Sequence, residues 1–187
     1  MLDFILQLDR EILIFLNNLG TQQWDPFWLF ITKQFNWLPL FLTLLGLLLW
    51  KFGWKNSLLI LVFVAVVVAF SDQFTNFIKH SFGRIRPCNE ESLVGLIRDL
   101  SYKPGGYSYY SGHAAVSTTV TTFLILLFRK HFKAIYFLVL FPLLFGYSRI
   151  YLGVHYPFDV LSGYLAGIFF GCIFFKIQER LRLSTRF

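Results

Sequence analysis

The chain has 187 residues, of which 56% are hydrophobic and only 14% are charged, and its mean hydropathy is +0.60. Soluble domains carry about 25% charged residues, so this composition excludes an ordinary soluble domain and predicts one membrane-embedded domain over residues 1–187. The net charge of +7 does not by itself indicate nucleic acid, because the positions of the charges must be known first.

The first 35 residues predict helices at the membrane interface. Ile5, Leu8 and Ile12 recur at helical spacing, with polar residues such as Asp9 and Asn17 between the apolar positions. This pattern is typical of an amphipathic helix that lies on the membrane or packs at the edge of a bundle. A second short helix is predicted at 27–35. Whether residues 1–35 span the membrane or lie on it stays open.

Five apolar segments then predict an all-α, polytopic membrane helix bundle over residues 36–178, with about five to six transmembrane helices. A polar connection, 83–110, separates the second segment from the third, and a loop of this length is usually functional. The predicted spans are 36–50, 56–79, 111–128, 132–147 and 157–175.

Five spans would place the loops near residues 51–55 and 129–133 on the same membrane face as the C-terminal tail. That face carries nine Lys and Arg residues against one acidic residue, Glu179. By the positive-inside rule it is cytoplasmic, so we expect an inner (cytoplasmic) membrane protein with loop 83–110 and turn 148–156 facing the periplasm or exterior. No nucleic-acid partner is then needed to explain the net charge. The basic residues of this face are Lys51, Lys55, Arg129, Lys130, Lys133, Lys176, Arg180, Arg182 and Arg186.

The polar stretch before the last span carries three chemically useful side chains. Pro157 predicts a helix start, which places Asp159 about one turn beyond His155. A carboxylate at that distance can accept a hydrogen bond from one imidazole nitrogen and leave the other free to attack. The guanidinium of Arg149 suits phosphate or carboxylate oxygens. The alternative interpretation is a solvated loop in which His155 only caps the helix.

Two further polar clusters are predicted on the same face. Lys79 and Arg86 follow the end of the second span, and with Arg149 they provide three cations, which match a phosphate. Ser111 is a natural N-cap for the third span, so the amides of Gly112 and the next residue would point at an anion.

A second histidine, His113, can protonate a leaving oxygen while His155 attacks phosphorus. The His and carboxylate residues show no metal-ligand spacing such as H-E-x-x-H, so no metal or other cofactor is expected. Cys88 and Cys172 fit neither a metal site nor a disulfide framework and are interpreted as free thiols.

These residues together resemble the three-part signature of the type 2 phosphatidic acid phosphatase superfamily, which holds integral-membrane lipid phosphatases. The resemblance implies a metal-independent phosphatase that works through a phosphohistidine. His155 would be the nucleophile, Asp159 its orienting partner and His113 the general acid. The phosphate cradle would be Lys79, Arg86, Ser111, Gly112 and Arg149. The matching stretches are Lys79-x6-Arg86-Pro87, Ser111-Gly112-His113 and Ser148-Arg149-x5-His155-x3-Asp159.

One position departs from the family pattern, since Tyr110 stands where the second motif usually has proline. This puts the shape of the loop in doubt more than the chemistry. His80 and Arg84 lie within the first motif without a role in it, and we expect them to be solvated or lipid-facing polar groups at a membrane exit.

The expected function is removal of a terminal phosphate monoester or diphosphate from a membrane lipid in the cell envelope. The resemblance implies three substrate classes, namely undecaprenyl diphosphate, phosphatidylglycerol phosphate and the phosphorylated glucosamine of lipid A. A non-catalytic protein that binds or translocates lipid phosphates is the alternative, and vanadate-dependent oxidation on the same residues is a third possibility. The oligomeric state is left open.

Overall fold

A computed structural model describes residues 1–181, so Arg182 and Arg186 of the predicted cytoplasmic face lie outside the described residues. All regular structure within 1–181 is helical, which confirms the prediction of an all-α chain. Short 3-10 turns, among them Gln34–Trp37 and Lys133–Val139, connect the α-helices. The six helices are α1 (Leu2–Asn18), α2 (Asp25–Ile31), α3 (Leu38–Phe82), α4 (Gly112–Phe128), α5 (Leu140–Tyr151) and α6 (Pro157–Leu181).

Among residues 1–181, three helical segments are long and apolar enough to cross a membrane: Gln34–Phe82, Lys133–Tyr151 and Pro157–Leu181. Gly112–Phe128 is apolar but shorter. Inside α3, Gly53 has φ 69° and ψ 167°, a conformation available mainly to glycine, and it interrupts the helix. The two arms, 38–52 and 54–82, correspond to the predicted spans 36–50 and 56–79. The number of membrane crossings stays a prediction.

Helix α4 contacts α3, α5 and α6, so it is central to the bundle. Its contact with α6 is very close, because a Cβ at Gly167 would lie 2.6 Å from Cβ of Thr118. The same packing brings the N-terminal ends of both helices together, where the backbone N–H of Ser111 donates to the carbonyl of Asp159 at 3.0 Å. Two of the predicted motifs are therefore adjacent in space.

The N-terminal helix forms as predicted, but it buries a different face from the expected one. Asp9, Leu13 and Asn17 are each 0% exposed, whereas apolar residues such as Phe4 and Phe15 are more than half exposed. These three buried residues are four apart and face α5 and α6, which α1 contacts. The interpretation of Asp9 and Asn17 as polar surface residues was wrong, because both have backbone partners inside the bundle.

The ends of the last two helices differ from prediction. Helix α5 is preceded by a 3-10 turn and continues to Tyr151, so Arg149 lies on a helix and not in the predicted turn 148–156. The true turn is 152–156, with Gly153 at φ 64°. Helix α6 begins at Pro157 as predicted but runs to Leu181, beyond the predicted end at 175.

Candidate active site

The imidazole of His155 is held in the turn between α5 and α6 and is only 1% exposed. Its Nε2 lies 3.1 Å from Nη1 of Arg86. A guanidinium can only donate hydrogen bonds, so Nε2 must be the unprotonated acceptor and the ring proton must sit on Nδ1. The nitrogen with the free electron pair therefore faces Arg86.

The other ring nitrogen faces Asp159, which lies in the first turn of α6 and is 0% exposed. Nδ1 of His155 is 3.6 Å from Oδ2 of Asp159, which is too long for a hydrogen bond. The same Oδ2 accepts hydrogen bonds from the hydroxyl of Ser108 and from the backbone N–H of Tyr156. Ser108 Oγ is also 3.5 Å from Nδ1 of His155, so it stands beside both groups.

Arg86 is fixed by the loop that follows α3. Its Nε donates to the carbonyls of Gly105 and Gly106 at 3.1 and 3.2 Å, and its Nη1 donates to the carbonyl of Val154 at 3.2 Å. The loop thus folds back over the turn that carries His155. These bonds aim the guanidinium edge at Nε2.

Arg149 reaches the same region from α5 and is 2% exposed. Its Nη1 donates to Thr32 Oγ1 at 2.6 Å and to the hydroxyl of Tyr102 at 3.3 Å. Its Nε is buried and has no hydrogen-bond partner among residues 1–181. Because buried donors are rarely left unpaired, this nitrogen indicates a place for an oxygen-rich ligand.

Lys79 and His113 complete the cluster. In the described part of the chain, neither the Lys79 ammonium nor the His113 ring makes a hydrogen bond or an ion pair. The ring of His113 stacks on Phe145 with a centroid distance of 4.6 Å. The positive charges of Lys79, Arg86 and Arg149 are close enough to act on one another and on His113. Arg86 therefore lies beside Nε2 of His155, and Lys79 and Arg149 lie close enough to Arg86 for their positive charges to repel.

The N-terminal end of α4 has the predicted cap. The Ser111 side chain accepts from the backbone N–H of Ala114 at 3.4 Å. The amides of Gly112 and His113, in the first turn, have no partner within the helix. A Cβ on Gly112 would lie 3.0 Å from Cγ2 of Thr75, so glycine lets α4 approach α3 at this point.

Burial is the main cause of the pKa shifts of His155, in turn 152–156, and of Arg86, in loop 83–110. It lowers the pKa of His155 to about 3, because desolvation and the charges of Arg149 and Arg86 outweigh the opposing effect of Asp159. Burial together with the charge of Arg149 also lowers the pKa of Arg86. The histidine is accordingly neutral at physiological pH.

Sequence reasoning misjudged Arg84. It was expected to be a solvated or lipid-facing group, but its Nη1 donates to Oδ1 of Asp159 at 2.7 Å and its Nη2 donates to Oδ2 of Asp9 at 2.8 Å. Its guanidinium also lies 3.7 Å from the ring centroid of Tyr156. The only signal in the sequence was its position two residues before Arg86. His80, in contrast, is exposed as expected.

Other contributors carried no sequence signal that we recognised. Ser108, Thr32 and Tyr102 bond to Asp159 or Arg149 from loops and from the end of α2, far away in the chain. Tyr110, at the position of the usual proline, is buried, and its hydroxyl lies 3.4 Å from Thr75 Oγ1.

A groove of about 910 Å³ lies between α1 and the ends of α3 and α6. Arg84 and Tyr156 line it, but none of the eight predicted site residues does. The groove is therefore separate from the predicted site residues. Within 1–181, no group of three or more His, Cys, Asp or Glu side chains is arranged to hold a metal ion.

Comparisons with known proteins find a matching family model and several relatives. The model of the PAP2 superfamily matches residues 57–183. The lipid A 4'-phosphatase of Bacteroides thetaiotaomicron is 37% identical over 187 residues, covering 97% of this chain and 81% of that protein. An undecaprenyl-diphosphatase of Sulfolobus acidocaldarius is 29% identical over 147 residues, covering 79% of this chain and 66% of that protein.

The fold is also similar to a solved structure. The crystal structure of a transmembrane PAP2-type phosphatidylglycerolphosphate phosphatase from Bacillus subtilis matches with a TM-score of 0.71 at 22% identity, covering 98% of this chain and 89% of that one. At this identity the match concerns the fold alone. The three long apolar helical segments among the described residues indicate an integral membrane protein.

Proposed function

The chain belongs to the PAP2 superfamily, and from that premise we propose that it removes a terminal phosphate from a membrane lipid through a phosphohistidine on His155. The observation that supports this most is the contact of the buried, unprotonated Nε2 with Arg86, next to two further cations, Lys79 and Arg149. A phosphate would supply the missing negative charge and place phosphorus within reach of the nucleophile.

The proposed reaction has two steps, and Lys79, Arg86 and Arg149 bind the phosphate oxygens in both. In the first, Nε2 of His155 forms a bond to phosphorus while the bond from phosphorus to the lipid oxygen breaks, and His113, which takes up a proton when the phosphate anion is bound, gives that proton to the oxygen. In the second, water attacks the phosphohistidine, the N–P bond breaks, and His113 takes a proton from the water. Asp159 orients His155 and stabilises the charge that the ring gains when it is phosphorylated.

In this reaction the three cations would stabilise the negative charge that a metal ion stabilises in other phosphatases. Lys79, Arg86 and Arg149 would bind the equatorial oxygens of the transition state, as Nε of Arg149 is already unpaired. The amides of Gly112 and His113 at the start of α4 would add two neutral donors. We therefore propose that the reaction needs no metal.

For the substrate we propose the phosphorylated glucosamine of lipid A. The support is the relative from Bacteroides thetaiotaomicron, a lipid A 4'-phosphatase that is similar to nearly the whole chain. Undecaprenyl diphosphate is the second candidate, because the relative from Sulfolobus acidocaldarius is an undecaprenyl-diphosphatase. We further propose that the protein crosses the inner membrane five times and that its site faces the periplasm.

The first test is phosphate release by the purified protein in detergent, without added metal. We expect lipid A to be cleaved faster than undecaprenyl diphosphate or phosphatidylglycerol phosphate. His155→Ala should lower the rate by about 10³-fold or more, as loss of a nucleophile does in other hydrolases. His80→Ala is the matched control, since His80 is exposed near the same membrane exit, and it should keep the wild-type rate.

Two outcomes would contradict the proposal. If a folded His155→Ala protein released phosphate at the wild-type rate, His155 would not be the nucleophile. If folded wild-type protein bound the lipids but released no phosphate from any of them, the binding or translocating function would be the better one. A rate that falls with a chelator and returns with a divalent metal would contradict metal independence alone.

A further inference from the structure

Arg84 joins two buried carboxylates that come from opposite ends of the chain. Its two terminal nitrogens bond separately, Nη1 to Asp159 and Nη2 to Asp9, at 2.7 and 2.8 Å. Both carboxylate side chains are at most 1% exposed. Ion pairs in such surroundings are little screened by solvent, so these contacts are tighter than those of exposed pairs.

Asp9 is also tied directly to the helix that carries Asp159. The second oxygen of Asp9, Oδ1, accepts from the backbone N–H of Phe158 at 2.8 Å, in the first turn of α6. Asp9 therefore holds both Arg84 and the residue next to Asp159. It is a fixed part of this network, although it lies on the N-terminal helix and outside the three motifs.

The bonds to Asp159 show what Arg84 does there. Oδ1 is taken by Arg84, whereas Oδ2 accepts from Ser108 and Tyr156 and faces Nδ1 of His155. Arg84 thus sets the rotation of the carboxylate that faces the imidazole. The backbone carbonyl of Arg84 also accepts from the N–H of Ser108 at 2.7 Å, so the two donors to Asp159 are fixed to each other.

Charge explains why a second carboxylate is needed. Asp159 with Arg84 alone would be a neutral pair and would offer little net negative charge to the positive ring that forms on His155. With Asp9 included, the trio has a net charge of −1, so Asp159 keeps its effect on His155 while Arg84 is still neutralised.

We infer that Asp9 of the N-terminal helix is a positioning residue for the reaction at His155, acting through Arg84 on the carboxylate of Asp159. This inference rests on the proposed function. Asp9 touches neither the cation cradle nor Nε2 of His155. Its loss should therefore reduce the rate of the chemical step and leave phosphate binding intact.

The test compares Asp9→Asn with Asp3→Asn, which neutralises an exposed acid on the same helix. For Asp9→Asn we expect kcat to fall by about tenfold or more, the size of effect seen when outer partners of a metal-bound histidine are removed. KM for the lipid and the inhibition constant of inorganic phosphate should stay within about twofold of wild type, because the cradle is unchanged. Asp3→Asn should behave as wild type, and Asp9→Glu should recover part of kcat.

Thermal unfolding of each variant separates this role from a loss of structure. If Asp9→Asn does not fold, Asp9→Glu keeps the negative charge beside the buried Arg84 while it shifts the carboxylate, and it should fold. Folded Asp9→Glu should show a lower kcat than wild type with unchanged phosphate inhibition.

The inference is wrong if folded Asp9→Asn keeps the wild-type kcat, or if KM and phosphate inhibition change while kcat does not. The wild-type protein is measured in the same assay. If wild type itself releases no phosphate, the proposed function fails, whereas an active wild type with an equally active Asp9→Asn variant contradicts only the role of Asp9.

Discussion

At the scale of single residues, His155 is a base kept neutral by its surroundings. Its Nε2 accepts from Arg86, and both Arg86 and Arg149 disfavour a further positive charge on the ring. In the proposed reaction such a histidine needs to lose no proton before it attacks phosphorus, and Arg86 would move from Nε2 to a phosphate oxygen. The arrangement is costly without substrate, because cations and a neutral ring share a buried space.

This state of His155 can be measured directly by NMR of 15N-histidine-labelled protein, with the signal assigned from a His155→Gln sample. Burial lowers the pKa of His155 to about 3, against an ordinary value of 6.5. We therefore expect its ring-nitrogen shifts to stay unchanged between pH 8 and pH 5, whereas the denatured protein titrates in that range. A midpoint between pH 6 and 7 in the folded protein would contradict the neutral resting state.

The lowered pKa of His155 also makes the stability of the folded protein depend on pH. Between pH 6.5 and 3 the denatured chain binds a proton on His155 that the folded chain does not bind, so acidification in this range favours unfolding. The contribution of this group to folding is fully present above pH 6.5 and declines as pH falls below it. His155→Gln should reduce the dependence of the thermal midpoint on pH in this window.

The sequence could predict the positions of those polar residues whose spacing follows local rules for helix ends. His155 and Asp159 are separated by one helical turn, and Ser111 precedes an apolar helix, so local rules place them. Arg84 and Asp9 were misjudged because their roles depend on a contact between residues 75 apart in the chain. The partners Thr32 and Ser108 are likewise brought to the site by tertiary packing, which composition does not encode.

At the scale of helices, the geometry of the site depends on how closely α4 and α6 approach. Gly163, Gly167 and Gly171 lie along α6, and a Cβ at any of them would come within 2.7 Å of an atom of α4 or of its N-cap residue Ser111. This close packing sets the distance between Ser111 at the start of α4 and Asp159 at the start of α6. The glycines thus link helix packing to the relative position of two motifs.

Adding one methyl group at this contact should disturb both fold and activity. In Gly167→Ala, the new Cβ would lie 2.7 Å from the carbonyl oxygen of Ala115, a backbone atom that cannot move aside easily. We expect a loss of about 1–3 kcal/mol in the free energy of unfolding, the usual cost of overpacking, and slower phosphate release. Thermal unfolding in detergent and the phosphate assay measure the two effects.

Gly46→Ala provides the control, because no atom lies within 4 Å of a Cβ at Gly46. Alanine there should be neutral or should stabilise α3 by about 0.5–1 kcal/mol, as alanine is a better helix former than glycine. Equal thermal midpoints for the two variants would show that the close approach of α4 and α6 is unimportant.

The helices themselves were largely predictable, whereas their buried faces were not. Apolar runs defined α4 and α6, and Pro157 marked the start of α6 correctly. In a membrane, however, apolar residues can face lipid, so hydrophobic periodicity does not show which side of a helix packs on protein. This explains why α1 exposes Phe4 and Phe15 and buries Asp9.

At the scale of the whole molecule, the candidate site and the exposed basic residues that follow α4 are at opposite ends of the bundle. The site is built at the end of α3 and at the starts of α4 and α6, close to loop 83–110. Arg129 and Lys130 follow the other end of α4 and are exposed. If the basic end is cytoplasmic, a lipid in the outer leaflet would bring its phosphate to the site from the opposite side.

Cysteine labelling tests this orientation in a background of Cys88→Ser and Cys172→Ser. Val94 in loop 83–110 is 81% exposed, and Lys130 is exposed in the turn after α4. In intact spheroplasts, a membrane-impermeant maleimide should label Val94→Cys, whereas Lys130→Cys should react only after the membrane is permeabilised. Each variant is first shown to release phosphate at the wild-type rate, so that labelling reports the active fold. The reverse pattern would place the site in the cytoplasm, and lipid phosphates of the inner leaflet would then be the substrates to test, because the chemistry at His155 does not depend on the orientation.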